Sequence, residues 1–312
     1  KIVEILYVVV ISKMANSSAI FAVAMSALFI VVVVLMTVAP SEYGIVESVA
    51  AHSFQGDFGS PLCTRDGQCR EDSTVATPRT EFSARSEQQL SDWLKTQALH
   101  RRRSVAEFHD GAVIDVLFLG DSITEYLTGK SLEHSCCAEQ KRAFSRAWSK
   151  HKVLANGISG DQTQHLLWRV SDEGGELDVG KAKINRIVIN IGTNNLGAGM
   201  SPSMAAEGVL KVAQTVSSLV PTAEIIVEEI FPRANLQQKV AEANEMIRTR
   251  MKSRLPSVTL SRCGVHFRLG EEAERESDWT VDRVFMPDAL HPNGAGVKKW
   301  MDCLQQNIIL NA

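Results

Sequence analysis

The stretch VIDVLFLGDS, residues 113–122, decides the fold class of this chain. Its apolar residues run almost without interruption to Gly120-Asp121-Ser122, which is typical of a strand buried on both faces that turns directly into a helix. Further strand candidates occur at residues 151–156, 184–191, 224–230 and 258–260. Helical periodicity is found at residues 161–170, 203–219, 236–255 and 293–309. Strands that lack polar alternation and are separated by helices predict an α/β domain with a parallel sheet covered on both faces.

The predicted α/β domain begins with a further helix over residues 86–107 and is expected to occupy residues 86–312. Upstream, residues 40–85 are polar, with scattered Ser, Thr, Gly and Pro and no sustained period. A stretch of this kind offers no continuous apolar face for packing. It therefore predicts a polar linker or a loosely ordered stalk.

An apolar segment near the N-terminus sets the expected location of the protein. Residues 19–39 carry no charge and are rich in Val, Ile, Leu and Met. At ~1.5 Å rise per residue, a helix over this run would reach about 30 Å, the thickness of a bilayer core. Residues 14–39 are therefore predicted to be a secretory signal peptide or an uncleaved signal-anchor, and the sequence leaves both fates open. Residues 1–13 are expected to be upstream read-through or a fragment start.

The cysteines agree with export. The chain has 6 of them, and an even number behind a secretory segment favours disulfides. Cys63 and Cys69 flank a short polar loop and are predicted to form a bridge. A zinc site is not expected, because no paired C-x-x-C is present and no histidine lies at ligand spacing. The protein is thus expected to be secreted, or membrane-anchored with its folded domain outside the cytosol.

The composition argues against a nucleic-acid partner. Apolar residues make up 45% of the chain, charged residues 22%, and the formal net charge is −3. These values are ordinary for a globular protein, whereas nucleic-acid-binding domains usually carry a clear basic excess. The basic run at residues 101–103 is interpreted as a solvated helix face.

Three polar turns follow predicted strands, where ligands bind in parallel α/β sheets. Ser122 would be exposed at the turn from strand to helix, with Asp121 capping or bracing it. Residues 156–161, NGISGD, contain two glycines that permit close approach of the backbone to a ligand. Residues 192–195, GTNN, offer asparagine amides as neutral donors. Taken singly, each segment is also compatible with an ordinary helix cap or turn.

A fourth segment, Asp288-Ala289-Leu290-His291-Pro292, precedes the last predicted helix. Asp288 can hold the Nδ1–H of His291 and leave Nε2 free to take a proton from a serine. Together the four segments supply a nucleophile, donors for an oxyanion and an oriented base, which are the requirements for nucleophilic catalysis. Trp168, at helical spacing from Gln164, is interpreted as a packing residue, and His165 and His266, which have no matched partner in the sequence, are interpreted as structural.

These four blocks resemble those of the SGNH (GDSL) hydrolase family: serine in GDS, glycine in the second block, asparagine in GTNN and histidine in D-x-x-H. The stretches NGISGDQTQHLLWRV and VINIGTNN look most like catalytic subunits of platelet-activating-factor acetylhydrolase. The resemblance covers about residues 93–310. Ile123 replaces the leucine of the GDSL name, a conservative change.

The resemblance implies a flavodoxin-like, three-layer α/β/α sandwich that needs no metal or organic cofactor. By the same likeness, Ser122 is the nucleophile, and Asp288 and His291 complete the triad. The oxyanion donors would be the N–H groups of Ser122 and Gly160 and the side-chain amide of Asn194. Relatives of this kind often dimerise, which makes a homodimer an open alternative.

Three functions are compatible with these residues. The first is a serine esterase for small esters with short, acetyl-like acyl groups, since the resemblance implies a small acyl pocket and the turns around the predicted site are short. The second is a carbohydrate O-acetylesterase acting on extracellular glycans, which the export signal favours. The third is a membrane-tethered binding protein that has lost turnover, although the intact Ser122, Asp288 and His291 argue against it.

Overall fold

Five parallel strands form the central sheet of the computed structural model, which describes residues 62–310 apart from positions 65, 179, 181 and 271–278. In chain order they are β1 (Val113–Gly120), β2 (Val153–Gly157), β3 (Lys183–Asn190), β4 (Glu224–Glu228) and β5 (Thr259–Ser261). They lie side by side in the order β2-β1-β3-β4-β5, and every pairing is parallel. This is the strand order of flavodoxin-like sheets, so the predicted fold class is confirmed.

The helices connect these strands close to their predicted bounds. They are α1 (Glu87–Glu107), α2 (Ser122–Glu125), α3 (Ala138–Ala147), α4 (Thr163–Val170), α5 (Thr193–Gly197), α6 (Pro202–Leu219), α7 (Gln237–Arg254) and α8 (Gly294–Leu310). The helix expected directly after the Gly120-Asp121-Ser122 turn is α2, whereas α3 and α5 were not predicted from the sequence. Two small antiparallel pairs add to the loops: Lys130–Ser131 with His134–Ser135, and Arg268–Leu269 with Thr280–Val281.

Two groups of helices cover the sheet. The chain moves in one direction from β1 to β2 and in the opposite direction through β3, β4 and β5. Because parallel crossovers are right-handed, these two directions place helices on opposite faces. On one face α6 packs against α4 and α7, and on the other α3 packs against α8. A continuous buried core, with Phe118, Val188 and Trp300 fully enclosed, joins the layers.

The range 62–85 differs from the predicted stalk, because it packs onto the domain. Leu62 is buried in a small apolar cluster with Met200, and Glu71, Ser73 and Arg79 are also buried. Specific polar bonds, rather than an apolar face, hold this segment. The Thr163 hydroxyl, for example, donates to the Ser73 carbonyl at 2.7 Å. Residues 62–85 belong to the same compact unit as the sheet, and the predicted boundary at residue 86 falls inside that unit.

Three disulfides cross-link the described chain: Cys63–Cys69, as predicted, together with Cys136–Cys137 and Cys263–Cys303. Disulfides persist in oxidising compartments, so they indicate an extracellular or secretory-pathway protein. The apolar run at residues 19–39 lies outside the described residues. Within the residues that are described, none of the helices has the length and apolar character needed to cross a bilayer.

Candidate active site

Ser122 lies at the carboxyl end of β1 as the first residue of α2. The Asp121 side chain caps this helix by accepting the Ile123 N–H at 3.0 Å, as expected. Gly157 at the end of β2 allows the turn to approach closely, because a Cβ there would collide with the backbone of Asp121 and Glu125. The Ser122 hydroxyl therefore sits at the edge of the sheet where α/β folds bind ligands.

Asp288 and His291 lie beside this serine. His291 Nε2 is 2.8 Å from Ser122 Oγ, and His291 Nδ1 is 2.6 Å from Asp288 Oδ2. The other carboxylate oxygen, Asp288 Oδ1, accepts the His291 N–H at 2.7 Å and the Leu290 N–H at 3.0 Å. Ala289 between them has a φ of 61°, a left-handed conformation that closes this short turn. The three residues predicted for nucleophilic chemistry are thus brought into one hydrogen-bonded chain.

The charge of Asp288 suits this arrangement. Burial opposes ionisation of its carboxyl, but hydrogen bonds from the His291 backbone and ring outweigh burial and hold the pKa of Asp288 below its ordinary value. An ionised Asp288 favours the tautomer of His291 with the proton on Nδ1. Nε2 is then an acceptor for the Ser122 hydroxyl.

Gly160 and Asn194 lie in the turns after β2 and β3. Gly160 has a φ of 83°, the left-handed region that glycine adopts freely. Among the described residues, neither the Gly160 N–H nor the Ser122 N–H donates a hydrogen bond to another group. Asn194 Nδ2 donates to the Asp161 carbonyl at 3.0 Å and lies 3.4 Å from Asp121 Oδ2. Two unengaged backbone donors and one amide therefore adjoin the nucleophile turn.

Asp121 is fully buried beneath these donors. Burial raises the pKa of its carboxyl to about 7; the negative charge of Asp161 adds to this, and the hydrogen bond from the Ile123 N–H opposes it. Near neutral pH the Asp121 carboxyl therefore exists in both protonation states.

Arg169, a buried cation that joins the strand ends beneath the site, was not predicted from the sequence. Its guanidinium donates to the Gly120 carbonyl at 3.0 Å and to the Asn156 carbonyl at 2.8 Å, near the ends of β1 and β2. It also forms ion pairs of 2.7 Å with Asp161 and Glu176. Burial disfavours the charged form, but the two carboxylates outweigh burial and raise the pKa of Arg169. In the sequence nothing separates this arginine from a surface one on an amphipathic helix.

Glu125 is a second missed residue, and it ties the Gly160 turn to α2. Its Oε2 accepts the Ser159 N–H at 2.7 Å and the Ser159 hydroxyl at 2.5 Å, and its Oε1 accepts the Leu132 N–H at 2.6 Å. These bonds fix the backbone immediately before Gly160. The carboxyl is buried at helical spacing from Asp121, which the sequence could have flagged as an acid on the inner face of the predicted turn.

His165 has a partner that the sequence did not reveal. Its Nε2 is 3.1 Å from Oε2 of Glu71, which belongs to the segment predicted as a stalk. Trp168 packs against Trp93 with ring centroids 5.7 Å apart, which agrees with the packing role predicted for it. Over the ranges described, no group of three or more His, Cys, Asp or Glu side chains is arranged to hold a metal ion.

The fold, the three strand-end turns and the Asp288–His291 segment before α8 define the class of GDSL hydrolases. The chain belongs to the GDSL-like lipase/acylhydrolase family, whose model matches residues 118–299. It is similar to the alpha1 subunit of platelet-activating factor acetylhydrolase IB from Homo sapiens, with 30% identity over 186 residues, covering 58% of this chain and 70% of that protein. The alpha2 subunit from Gallus gallus is 31% identical over 189 residues, covering 59% of this chain and 72% of that protein.

The fold is likewise similar to the crystal structure of a GDSL-like lipase from Bacteroides thetaiotaomicron. The TM-score is 0.54 and the sequence identity 17%, and the match covers 69% of this chain and 98% of that chain. At this identity the similarity concerns the fold alone, and it supports the same sheet architecture.

Proposed function

We propose that this family member is a serine esterase in which Ser122 is the nucleophile, His291 the general base and Asp288 the residue that orients His291. The hydrogen-bonded chain from Ser122 Oγ through the two imidazole nitrogens to Asp288 carries the proposal. A serine hydroxyl is a weak nucleophile unless an adjacent base takes its proton. The short distances, 2.8 and 2.6 Å, supply that base in position.

In the proposed reaction, His291 Nε2 takes the hydroxyl proton while Ser122 Oγ attacks the ester carbonyl carbon. The carbonyl oxygen becomes an oxyanion, which accepts hydrogen bonds from the Ser122 and Gly160 N–H groups and the Asn194 amide. The alcohol leaves with the proton from His291, and an acyl-enzyme remains on Ser122. Water, deprotonated by His291, then attacks the acyl carbon and regenerates the serine.

Covalent labelling by a fluorophosphonate probe tests the nucleophile. The full chain should be labelled at Ser122, and Ser122→Ala should abolish both labelling and turnover of p-nitrophenyl acetate, by several orders of magnitude in kcat/KM. Ser217, a serine on α6 outside the candidate site, gives a matched control in Ser217→Ala. A chain that is neither labelled nor active would instead support the alternative of a binding protein that has lost turnover.

Short acyl groups are the proposed substrates, by analogy with acetylhydrolases and from the form of the loop after Asn194. That loop is compact: Leu196 and Met200 are buried within the fold. It provides no long apolar insertion for an extended acyl chain. Small esters that carry acetyl-like groups are therefore favoured over long-chain lipids.

A carbohydrate O-acetylesterase is the second candidate. The three disulfides favour it, because they indicate an extracellular or secretory-pathway location, where an enzyme can meet extracellular glycans. Release of acetate from acetylated polysaccharide, compared with turnover of p-nitrophenyl acetate, would separate the two candidates.

We further propose that residues 14–39 carry the enzyme into the secretory pathway and, if they are retained, tether it to the membrane. Carbonate extraction of membranes from cells that express the full chain tests the tether, and the mass of the mature N-terminus tests cleavage. The domain is proposed to act without a metal or cofactor and without nucleic acid. A homodimer stays a prediction, for which sedimentation is the direct measurement.

A further inference from the structure

Arg79 brings a nearly buried guanidinium to the Gly160 turn from the segment upstream of the family match. Only 4% of its surface is exposed. Its Nη1 donates to the Ser159 carbonyl at 3.0 Å, and its Nη2 lies against Gly160, where a Cβ would collide with it. The lack of a side chain at Gly160 therefore makes room for this arginine beside a proposed oxyanion donor.

Most of the N–H groups of the Arg79 guanidinium donate no hydrogen bond within the described part of the chain. An arginine has five N–H groups, and the bond to Ser159 uses one of them. Nε is fully enclosed without a hydrogen-bond partner. Nη2 also has no partner in the described chain, but it is not among the fully enclosed atoms. Buried charged groups are normally paired, since an unpaired one loses its hydration without compensation. An anionic partner for Arg79 is therefore missing from the protein itself.

The nearby carboxylates do not fill this role, although Asp161, Glu71 and Glu125 all attract the Arg79 charge. Asp161 pairs with Arg169 at 2.7 Å. Glu71 accepts from Thr80 at 2.6 Å and adjoins His165 at 3.1 Å.

Glu125 accepts the backbone and hydroxyl groups of Ser159. Each of the three acids is thus committed elsewhere. None forms an ion pair with Arg79 in the part of the chain that is described.

A second arginine lies beside the neighbouring turn. Arg233, in the loop after β4, donates to the Thr193 carbonyl at 3.0 Å, and its guanidinium occupies the space beside Gly197. The positive charge of Arg85, which is exposed, repels the guanidinium groups of both Arg79 and Arg233. Burial is the largest cause that lowers the pKa of Arg79 and of Arg233, and the positive charge of Arg85 lowers both further. Asn194, the residue after Thr193, donates to the Asp161 carbonyl at 3.0 Å, so the turns that Arg79 and Arg233 contact are bonded to each other.

We propose that Arg79, Arg233 and Arg85 form a subsite for an anionic group, a carboxylate or a phosphate, carried by the ester substrate. The proposal rests on the esterase function proposed above and narrows its substrates to negatively charged esters. The planar fork of a guanidinium suits either anion. Arg79 would offer Nη2 to the anion, and Arg233 and the exposed Arg85 would add positive charge.

Matched ester pairs test the subsite in the full-length enzyme. For an anion on the alcohol side, 4-acetoxybenzoate is compared with 4-acetoxybenzamide. For an anion on the acyl side, the p-nitrophenyl monoester of adipic acid is compared with that of adipamic acid. We expect kcat/KM of the anionic member of at least one pair to exceed that of its neutral partner by about tenfold or more, as charge-assisted hydrogen bonds allow. Added NaCl should reduce this ratio.

Substitutions then assign the preference to the arginines. Arg233→Gln and Arg85→Gln should each lower the anionic-to-neutral ratio of kcat/KM several-fold. Arg79→Lys, which keeps the charge but loses the fork, should also lower it. Arg85 is exposed, so its variant remains informative if changes at buried Arg79 prevent folding. Arg102→Gln, an exposed arginine on α1, is the matched control and should leave the ratio unchanged.

The outcomes separate this proposal from the esterase itself. A ratio near one for both pairs in the active wild type overturns the subsite and leaves the esterase in place. A ratio that persists in Arg233→Gln and Arg85→Gln overturns it as well. Absence of turnover for all four esters, without fluorophosphonate labelling, overturns both proposals together.

Discussion

The ring of Tyr126 stacks on the ring of His291, with centroids 4.6 Å apart and planes inclined by 26°. Tyr126 begins the 3-10 turn that follows α2, so the stack connects the nucleophile's helix to the His291 loop. Ser122 and Asp288 bond to the two nitrogens in the plane of the imidazole, and Tyr126 supports its face. The imidazole ring of His291 is thereby held both in its plane and against one face.

Removal of this stack should impair turnover more than binding. We expect Tyr126→Ala to lower kcat of ester hydrolysis by about tenfold with little change in KM, because a misplaced catalytic group costs rate. Tyr126→Phe keeps the stacked ring and should stay within about twofold of wild type. Steady-state kinetics of both variants check this. Equal losses in the two variants would assign the effect to the hydroxyl instead.

The raised pKa of Asp121 predicts a pH-dependent stability. A carboxyl with a folded pKa of about 7, against an ordinary value of 3.8, binds a proton more tightly in the folded state. The free energy of unfolding should therefore decrease as pH rises between about 4 and 7, by a few kcal/mol from this group. Asp121→Asn keeps a helix cap and should flatten this decrease. Urea unfolding at pH 5 and pH 8 measures it.

Glu228 provides a comparison away from the nucleophile. Burial raises the pKa of its carboxyl to about 7 as well. Glu228→Gln should therefore reduce the decrease in the free energy of unfolding over the same pH range without altering the Ser122 turn. An identical pH dependence of stability in wild type and Asp121→Asn would contradict the assignment to Asp121.

Arg169 should be among the most sensitive positions for stability. Arg169→Met leaves Asp161 and Glu176 as buried charges without their cation, which typically costs about 3–5 kcal/mol. The partly exposed pair Arg186–Glu224, 2.8 Å apart, is the matched control. Arg186→Met should cost about 1 kcal/mol or less. Chemical denaturation compares the two, and similar losses would refute a special role for the buried network.

Acyl-chain length should decide between an esterase for short chains and a lipase. Without a long apolar groove, added methylenes would remain partly in water and gain little of the ~0.8 kcal/mol available for each buried one. Acetyl and butyryl esters should therefore show higher kcat/KM than octanoyl or palmitoyl esters of the same alcohol. A steady rise toward sixteen carbons would indicate that residues near His291, such as Phe285 and Leu290, line a longer groove.

Chelation should leave the enzyme active. The proposed chemistry uses His291 and Asp288 to activate Ser122, and no step requires a Lewis acid. We expect turnover of p-nitrophenyl acetate in excess EDTA to equal that of the untreated enzyme. Loss of activity that zinc restores would contradict the proposed mechanism.

Much of the fold could be predicted because it depends on periodic burial. Strand β1 is apolar almost throughout, β3 contains the apolar run 187–189, and the helices between strands show a regular apolar face. The three turns that carry Ser122, Gly160 and Asn194 followed from the same logic, since each occurs where a buried strand stops, whereas the roles of Gly160 and Asn194 within them came from the family resemblance. The pairing of Asp288 with His291 could be inferred from spacing that one turn can close.

Residues 62–85 could not be placed in this way. They show no hydrophobic periodicity. Their buried residues, such as Glu71 and Ser73, are held by individual polar bonds to residues far along the chain. The role of Arg169 was hidden for a related reason. A buried cation is recognised by the carboxylates around it, and Asp161 and Glu176 become its neighbours only when the turns fold against each other.

The bond between Glu71 and His165 limits where this protein can be shortened. A recombinant fragment that starts at residue 86, the boundary suggested by composition, would remove the partner of a fully enclosed imidazole and expose the wall of the Gly160 turn. Such a fragment would keep every residue of the family match and still lose part of the surface that shapes the proposed site. Expression trials and limited proteolysis should therefore retain the chain from the Cys63–Cys69 loop onward.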